Sequence, residues 1–198
     1  MAQVTAQMVS ALRQRTGISM MDCKNALKEA DGDEEKAIDI LRKRGAIKAA
    51  KRAERGASEG CVASYIHTGG RIGVLLELNC ESDFVGKNED FQAFARDICM
   101  HIAAASPTPI AVRREEVPVS MIDKEKEIAL EQVAEKPPQA QEKIIEGKLN
   151  KFLSTVCLLE QPYVKNPDQT VQDLLNEKGL QLGENIQIRR FARYALGE

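Results

Sequence analysis

The chain has 198 residues, 43% of them apolar, with 28 Lys and Arg against 30 Asp and Glu and a formal charge of −2. That length suits one domain, or a small one beside a larger one. The composition excludes a disordered chain and a surface built wholly for nucleic acid. Only 4% of residues are aromatic (five Phe, three Tyr, no Trp), so an aromatic outside a buried stripe is informative. No run of about 18 apolar residues is present, so no bilayer-spanning segment is expected. Residues 1–5 lack the basic and apolar stretches of a secretory signal, and a cytoplasmic location is expected. The cysteines (Cys23, Cys61, Cys80, Cys99, Cys157) are odd in number and form no C-x-x-C pair. They read as small buried thiols in a reducing compartment, with no metal site and no cofactor. Cys99-Met100-His101 is the nearest approach to a ligand pair and has no second pair to complete it.

Residues 1–45 read as a compact three-helix bundle. Thr5 caps a first helix carrying Met8, Val9 and Leu12, which stops near Gly17. Ser19 opens a second, with Asp22 three residues on and a stripe of Cys23, Ala26, Leu27 and Ala30. Asp33 caps a third bearing Ala37, Ile38, Ile40 and Leu41, with Gly45 as its expected stop. Met20 and Met21 are adjacent, so at most one can join the stripe. The other is expected to face outward beside Arg13, Thr16 and Lys24 as an adaptable contact surface; the alternative is that both fill gaps in the bundle.

Residues 42–55 (RKRGAIKAAKRAER) carry seven bases and one acid, and residues 46–58 read as a basic helical linker. Clustered bases are also the footprint of nucleic-acid contact, but no aromatic is interleaved for stacking.

Residues 59–198 read as an α+β domain. Strands over 60–67 and 71–79 flank Thr68-Gly69-Gly70 as a hairpin, the second buried through Val74, Leu76 and Leu78. Its glycines match neither a dinucleotide fingerprint nor a P-loop. A helix follows over 88–105 with a stripe of Phe91, Phe94, Ala95, Ile98 and Ile102. Phe84 lies outside both patterns, in an expected loop between Asp83 and Gly86. Prolines 107, 109 and 118 mark irregular chain. Charged helices are expected over 120–135 and 139–155, separated by Pro137-Pro138. A short helix over 170–178 is expected to stop at Gly179. A last strand over 185–196 has Ile186, Ile188, Ala192 and Tyr194 on one face. Its arginines, Arg189, Arg190 and Arg193, cannot all share the other, so a bulge or a partner-facing edge is expected. Three strands with helices on one side leave a sheet face uncovered, and a second copy of the chain would cover it.

Two segments carry a family resemblance. Residues 12–27 read LRQRTGISMMDCKNAL and residues 77–85 read ELNCESDFV. In that order and at that separation they resemble the two characteristic segments of translation elongation factor Ts, the exchange partner of elongation factor Tu. The likeness extends over the whole chain, including Glu160-Gln161-Pro162 and the arginine-rich final strand. Ser82 stands where the family usually has Thr, keeping the hydroxyl. Gly86 replaces a small non-glycine residue and is expected to loosen the loop. The chain resembles the short form of the family, without the long coiled-coil insertion.

The resemblance implies a guanine-nucleotide exchange factor, not an enzyme, with elongation factor Tu as partner and a homodimer through the core sheet. Residues 1–45 would be a UBA-like, GTPase-docking module, acting through Arg13, Thr16, Met20, Met21 and Lys24. The loop of Ser82, Asp83, Phe84 and Val85 would be the wedge that disturbs the magnesium and phosphate site. A hydrolase or transferase is disfavoured, because no nucleophile motif is present and His67 has no orienting carboxylate in view. The alternative is an RNA- or ribosome-binding module using the basic linker, although no direct nucleic-acid contact is expected.

Overall fold

The computed structural model describes residues 4–52, 54–133 and 137–198. The chain forms two compact units. One joins Met1–Gly60, Asn79–Asn88 and Asp173–Gln187; the other joins Cys61–Leu78, Glu89–Gln172 and Ile188–Glu198. The fold is α+β, with a three-stranded antiparallel sheet in the order β1 (Glu59–Ile66), β2 (Ile72–Cys80), β5 (Gln187–Ala195).

The first unit opens with α1 (Ala6–Thr16), α2 (Met20–Glu29) and α3 (Glu34–Arg52). Thr5 accepts a hydrogen bond from the Met8 N–H at 3.2 Å. Gly17, at φ 68°, ends α1 by donating to the Arg13 carbonyl. Left-handed backbone of this kind is open to glycine at little cost. Ser19 accepts from the Asp22 N–H and donates to the Asp22 carboxylate, the expected short capping box. Most of the expected stripes form the core: Val9, Leu12, Cys23, Ala26, Leu27, Ala30, Ala37 and Leu41 are buried, while Met8, Ile38 and Ile40 are only partly buried and pack against them with Leu180.

Gly45 does not stop the third helix, which continues through most of the basic stretch to Arg52. Gly45 is buried inside the helix, and a Cβ there would make only an ordinary contact with the Leu180 methyl at 3.5 Å. The same misreading recurs in α8 (Val171–Leu182), which passes through the expected stop at Gly179. A Cβ on Gly179 would lie 3.0 Å from the Glu184 carbonyl; the helix ends instead before Gly183, at φ 78°.

In the second unit, β1 (Glu59–Ile66) and β2 (Ile72–Cys80) form the expected hairpin. Val74, Leu76 and Leu78 are at most 2% exposed. The stripe of α5 (Glu89–Ala104) is buried as expected, through Phe91, Phe94, Ala95, Ile98 and Ile102. Burying side chains of this size contributes about 1.5–3 kcal/mol each. Helices α6 (Val119–Val133) and α7 (Pro138–Val156) pack together; the expected end of α6 at residue 135 lies outside the described residues. A small hairpin of β3 (Pro162–Tyr163) and β4 (Asn166–Thr170) is absent from the sequence reading, because two residues beginning with proline carry no alternation.

The final strand, β5 (Gln187–Ala195), corrects one expectation. Ile186 and Ile188 are buried, whereas Tyr194 is 73% exposed, so the four residues do not share a face. Arg189 and Arg190 are consecutive and both exposed, which breaks the alternation as a bulge does. Arg190 pairs with Glu77 at 2.6 Å, while the Arg193 side chain is only 10% exposed and bonds Glu198.

His101 is fully buried and satisfied on both sides. Its Nδ1 accepts from the Val164 N–H at 3.3 Å, leaving Nε2–H to donate to the Gln161 side-chain oxygen at 3.0 Å. Gln161 in turn donates to the carbonyls of Pro107 and Thr155. Burial holds the His101 pKa below that of a free imidazole, which matches this neutral form. Both ring nitrogens are thus committed to the fold. Burial likewise pushes the Cys99 thiol up to about 12 and that of Cys157 to about 11, so both stay protonated and unreactive.

Candidate functional site

Of the two segments singled out by the sequence, residues 12–27 and 79–85 fall in the first compact unit, while Glu77 and Leu78 belong to the second. On the helical bundle, Met20 is 42% exposed and Met21 64%, so neither methionine fills a gap in the core. Arg13 and Lys24 are exposed as well. Thr16 is half-buried, and its hydroxyl donates to the Leu12 carbonyl at 2.8 Å, tying the last turn of α1. Arg13, Met20, Met21 and Lys24 are thus all open to solvent, whereas the Thr16 hydroxyl is engaged within α1. Exposed thioethers are soft, adaptable contact groups.

The Asp-Phe segment is not an open loop. Asp83–Gly86 forms a single helical turn, α4, capped by Ser82, whose Oγ accepts from the Val85 N–H at 3.3 Å. Within that turn the side chains diverge. Val85 is buried at 7% exposure and anchors the turn. Phe84 is 78% exposed, the highest value for any large apolar side chain among the described residues. Its ring does not fold back onto its own unit. Asp83 is exposed and accepts from the Lys87 ammonium at 2.7 Å, and this bond holds its carboxyl below the usual range. The turn therefore presents an apolar ring beside a fixed negative charge.

Gly86 overturns one expectation. It is buried, and a Cβ there would lie 3.1 Å from the Gly60 carbonyl oxygen and 3.2 Å from its Cα. Those are backbone atoms that cannot swing aside. The glycine allows two chain segments to approach closely, so it tightens the turn where loosening was expected.

Sequence reasoning missed the residues that hold the turn from outside. Glu184 and Asn185 follow α8 and bond to Glu81 and Ser82, roughly a hundred positions earlier. No local pattern signals a contact of that separation.

Residues 3–198 match the family model described as Elongation factor TS. The Elongation factor Ts of Carboxydothermus hydrogenoformans is 60% identical over 197 residues, covering 98% of this chain and 90% of that protein. Those of Geobacter sp. (strain M21) and Acetivibrio thermocellus are each 58% identical over the same length, with 90% and 91% of their own chains covered. With an end-to-end family match and relatives at this identity, the chain belongs to the elongation factor Ts family of translation elongation factors.

Proposed function

We propose that this protein is a guanine-nucleotide exchange factor that docks on elongation factor Tu through Arg13, Met20, Met21 and Lys24. It promotes GDP release by inserting Phe84, with Asp83 beside it, near the phosphate and magnesium site. The observation that carries this reading is the exposure of Phe84 on a turn whose other members are anchored. A protein does not hold a phenylalanine 78% in water on a rigid support for the sake of its own core.

The energetics require both contacts. Coupling between two ligands of one protein is reciprocal, so a factor that expels nucleotide must bind the nucleotide-free GTPase more tightly. Accelerating release about 10⁴-fold needs roughly 5.5 kcal/mol of preferential stabilisation of the release transition state. Burying one phenylalanine supplies about 1.5–3 kcal/mol. The methionine surface and weakened magnesium coordination supply the remainder. No covalent bond is made or broken, so the protein acts by binding and not as an enzyme. The test is the rate at which bound GDP leaves elongation factor Tu, which the protein must raise.

The RNA-binding alternative draws no support from the basic stretch. Arg44 pairs with Glu29, Lys48 with Asp22 at 3.2 Å and Arg55 with Glu81 at 3.5 Å. Arg52 donates to the Gly179 carbonyl at 3.0 Å. Four of its seven bases are thus used within the protein.

The same reading includes a homodimer through the sheet of the second unit. Val62, Ile66, Leu75 and Tyr194 are 72%, 66%, 49% and 73% exposed. Val62 and Leu75 line an apolar hollow together with Phe191 and Ala192, and the paired Glu77 and Arg190 line it too. An exposed apolar sheet face suits a two-fold contact between copies. Sedimentation equilibrium is expected to show a dimer at micromolar concentration and a monomer for Val62→Asp. A wild-type monomer throughout that range contradicts the dimer.

A further inference from the structure

The orientation of Phe84 depends on a residue far away in the chain. A four-residue helix has no stability of its own, because nucleation outweighs the one or two bonds it forms. Something outside the turn must hold it. Glu184 stands immediately after Gly183, the left-handed residue that ends α8. Its Oε2 accepts the Glu81 and Ser82 backbone N–H groups at 3.0 and 3.2 Å. Its Oε1 accepts the Ser82 hydroxyl at 2.5 Å. The return bond runs from the Asn185 N–H to the Glu81 carboxylate at 2.7 Å.

Ser82 therefore does two things with one hydroxyl: it donates to Glu184 and accepts from Val85, capping the turn that carries Phe84. The support is itself fixed. Gln181 donates to the Thr16 carbonyl at 2.8 Å, and Arg52 donates to that of Gly179 at 3.0 Å. The segment 179–185 thus bonds to the helical module at one end and to the Phe84 turn at the other, all within one compact unit.

We propose that Glu184 is a positioning residue for nucleotide exchange: by clamping Glu81 and Ser82 it fixes the Phe84 turn in register with the methionine face of the helical module. The proposal rests on the Phe84 reading above and adds to it a residue whose carboxylate is committed to the base of the Phe84 turn. Without the clamp Phe84 is still present and exposed, but it samples many directions, and only a fraction of encounters present it correctly.

The test measures GDP release from elongation factor Tu at saturating concentrations of wild type, Glu184→Ala, Glu184→Gln, Phe84→Ala and the Phe84→Ala/Glu184→Ala double variant. Three bonds to a carboxylate are lost in Glu184→Ala, and its saturating rate is expected to fall about tenfold. Glu184→Gln is expected to recover most of that rate. Its amide oxygen can accept the two backbone N–H groups while its NH₂ donates to the Ser82 hydroxyl oxygen. Because Glu184 acts through Phe84, its removal is expected to add little in the Phe84→Ala background. Amide hydrogen exchange should rise at Glu81 and Ser82 in Glu184→Ala.

A Glu184→Ala rate equal to wild type beside a slow Phe84→Ala overturns the positioning role alone. An equally large further loss in the double variant also overturns it, because the effect would then not pass through Phe84. A Phe84→Ala variant as fast as wild type overturns the reading on which the proposal rests.

Discussion

Replacing Phe84 by alanine is expected to slow stimulated GDP release from elongation factor Tu by roughly 10- to 100-fold while leaving thermal stability unchanged. The two halves of this expectation have separate origins. Phe84 is 78% exposed, so its removal takes almost no apolar area from the protein's own core. The capping bond of Ser82 to Val85, the burial of Val85 and the contact of Gly86 with Gly60 do not involve the Phe84 ring. The turn therefore persists in the variant. In the complex, the lost burial of about 1.5–3 kcal/mol raises the release barrier by a similar amount, which corresponds to the stated range. The loss should fall on the rate at saturation, because the docking face is intact. A marked fall in melting temperature with undiminished exchange would place Phe84 in the core and remove it from the mechanism.

Met21→Glu is expected to show the opposite kinetic pattern. Met21 is 64% exposed in the first turn of α2, and the Ser19 cap and the Cys23, Ala26 and Leu27 stripe do not depend on its side chain. A carboxylate there favours the helix N-terminus, so the bundle should lose no stability. On the GTPase, however, it must be desolvated against a surface that had accepted a thioether. The concentration needed for half-maximal exchange is expected to rise about 10- to 100-fold, with a smaller change at saturation. A titration of exchange rate against protein concentration separates the two variants. An unchanged half-maximal concentration contradicts docking by the methionine face. Point substitution is the better probe than removal of the helical module. Leu180 packs on the bundle core and Gln181 bonds to Thr16, so deletion would strip the support of the Phe84 turn as well.

What could be read from the sequence follows from the range of the interactions concerned. Caps and stripes are local, so Thr5, Ser19 and Asp33 and the buried faces of α1, α2 and α5 were all legible. Phe84 stood out because it fitted neither periodicity, and it is the most exposed large apolar residue described. Glycine is the residue type whose role the sequence leaves most open. Backbone freedom suggests helix stops at Gly45 and Gly179 and a loose turn at Gly86, whereas the first two lie inside helices and the third lies against the Gly60 backbone. Sequence shows a glycine without showing what faces it. The face switch in β5 was anticipated from three arginines too many, though its consequence for Tyr194 was not. The Glu184 clamp was beyond reach, since its partners lie 102 and 103 positions away and each is an ordinary polar residue in isolation.

The most direct measurement follows fluorescent GDP leaving elongation factor Tu after mixing with excess unlabelled nucleotide, at increasing concentrations of this protein. The expected result is a release rate that rises with concentration to a plateau far above the spontaneous rate and is reached again with a fresh aliquot of loaded GTPase. A release rate that stays at the spontaneous value at every concentration contradicts the exchange function, and with it the role assigned to Phe84.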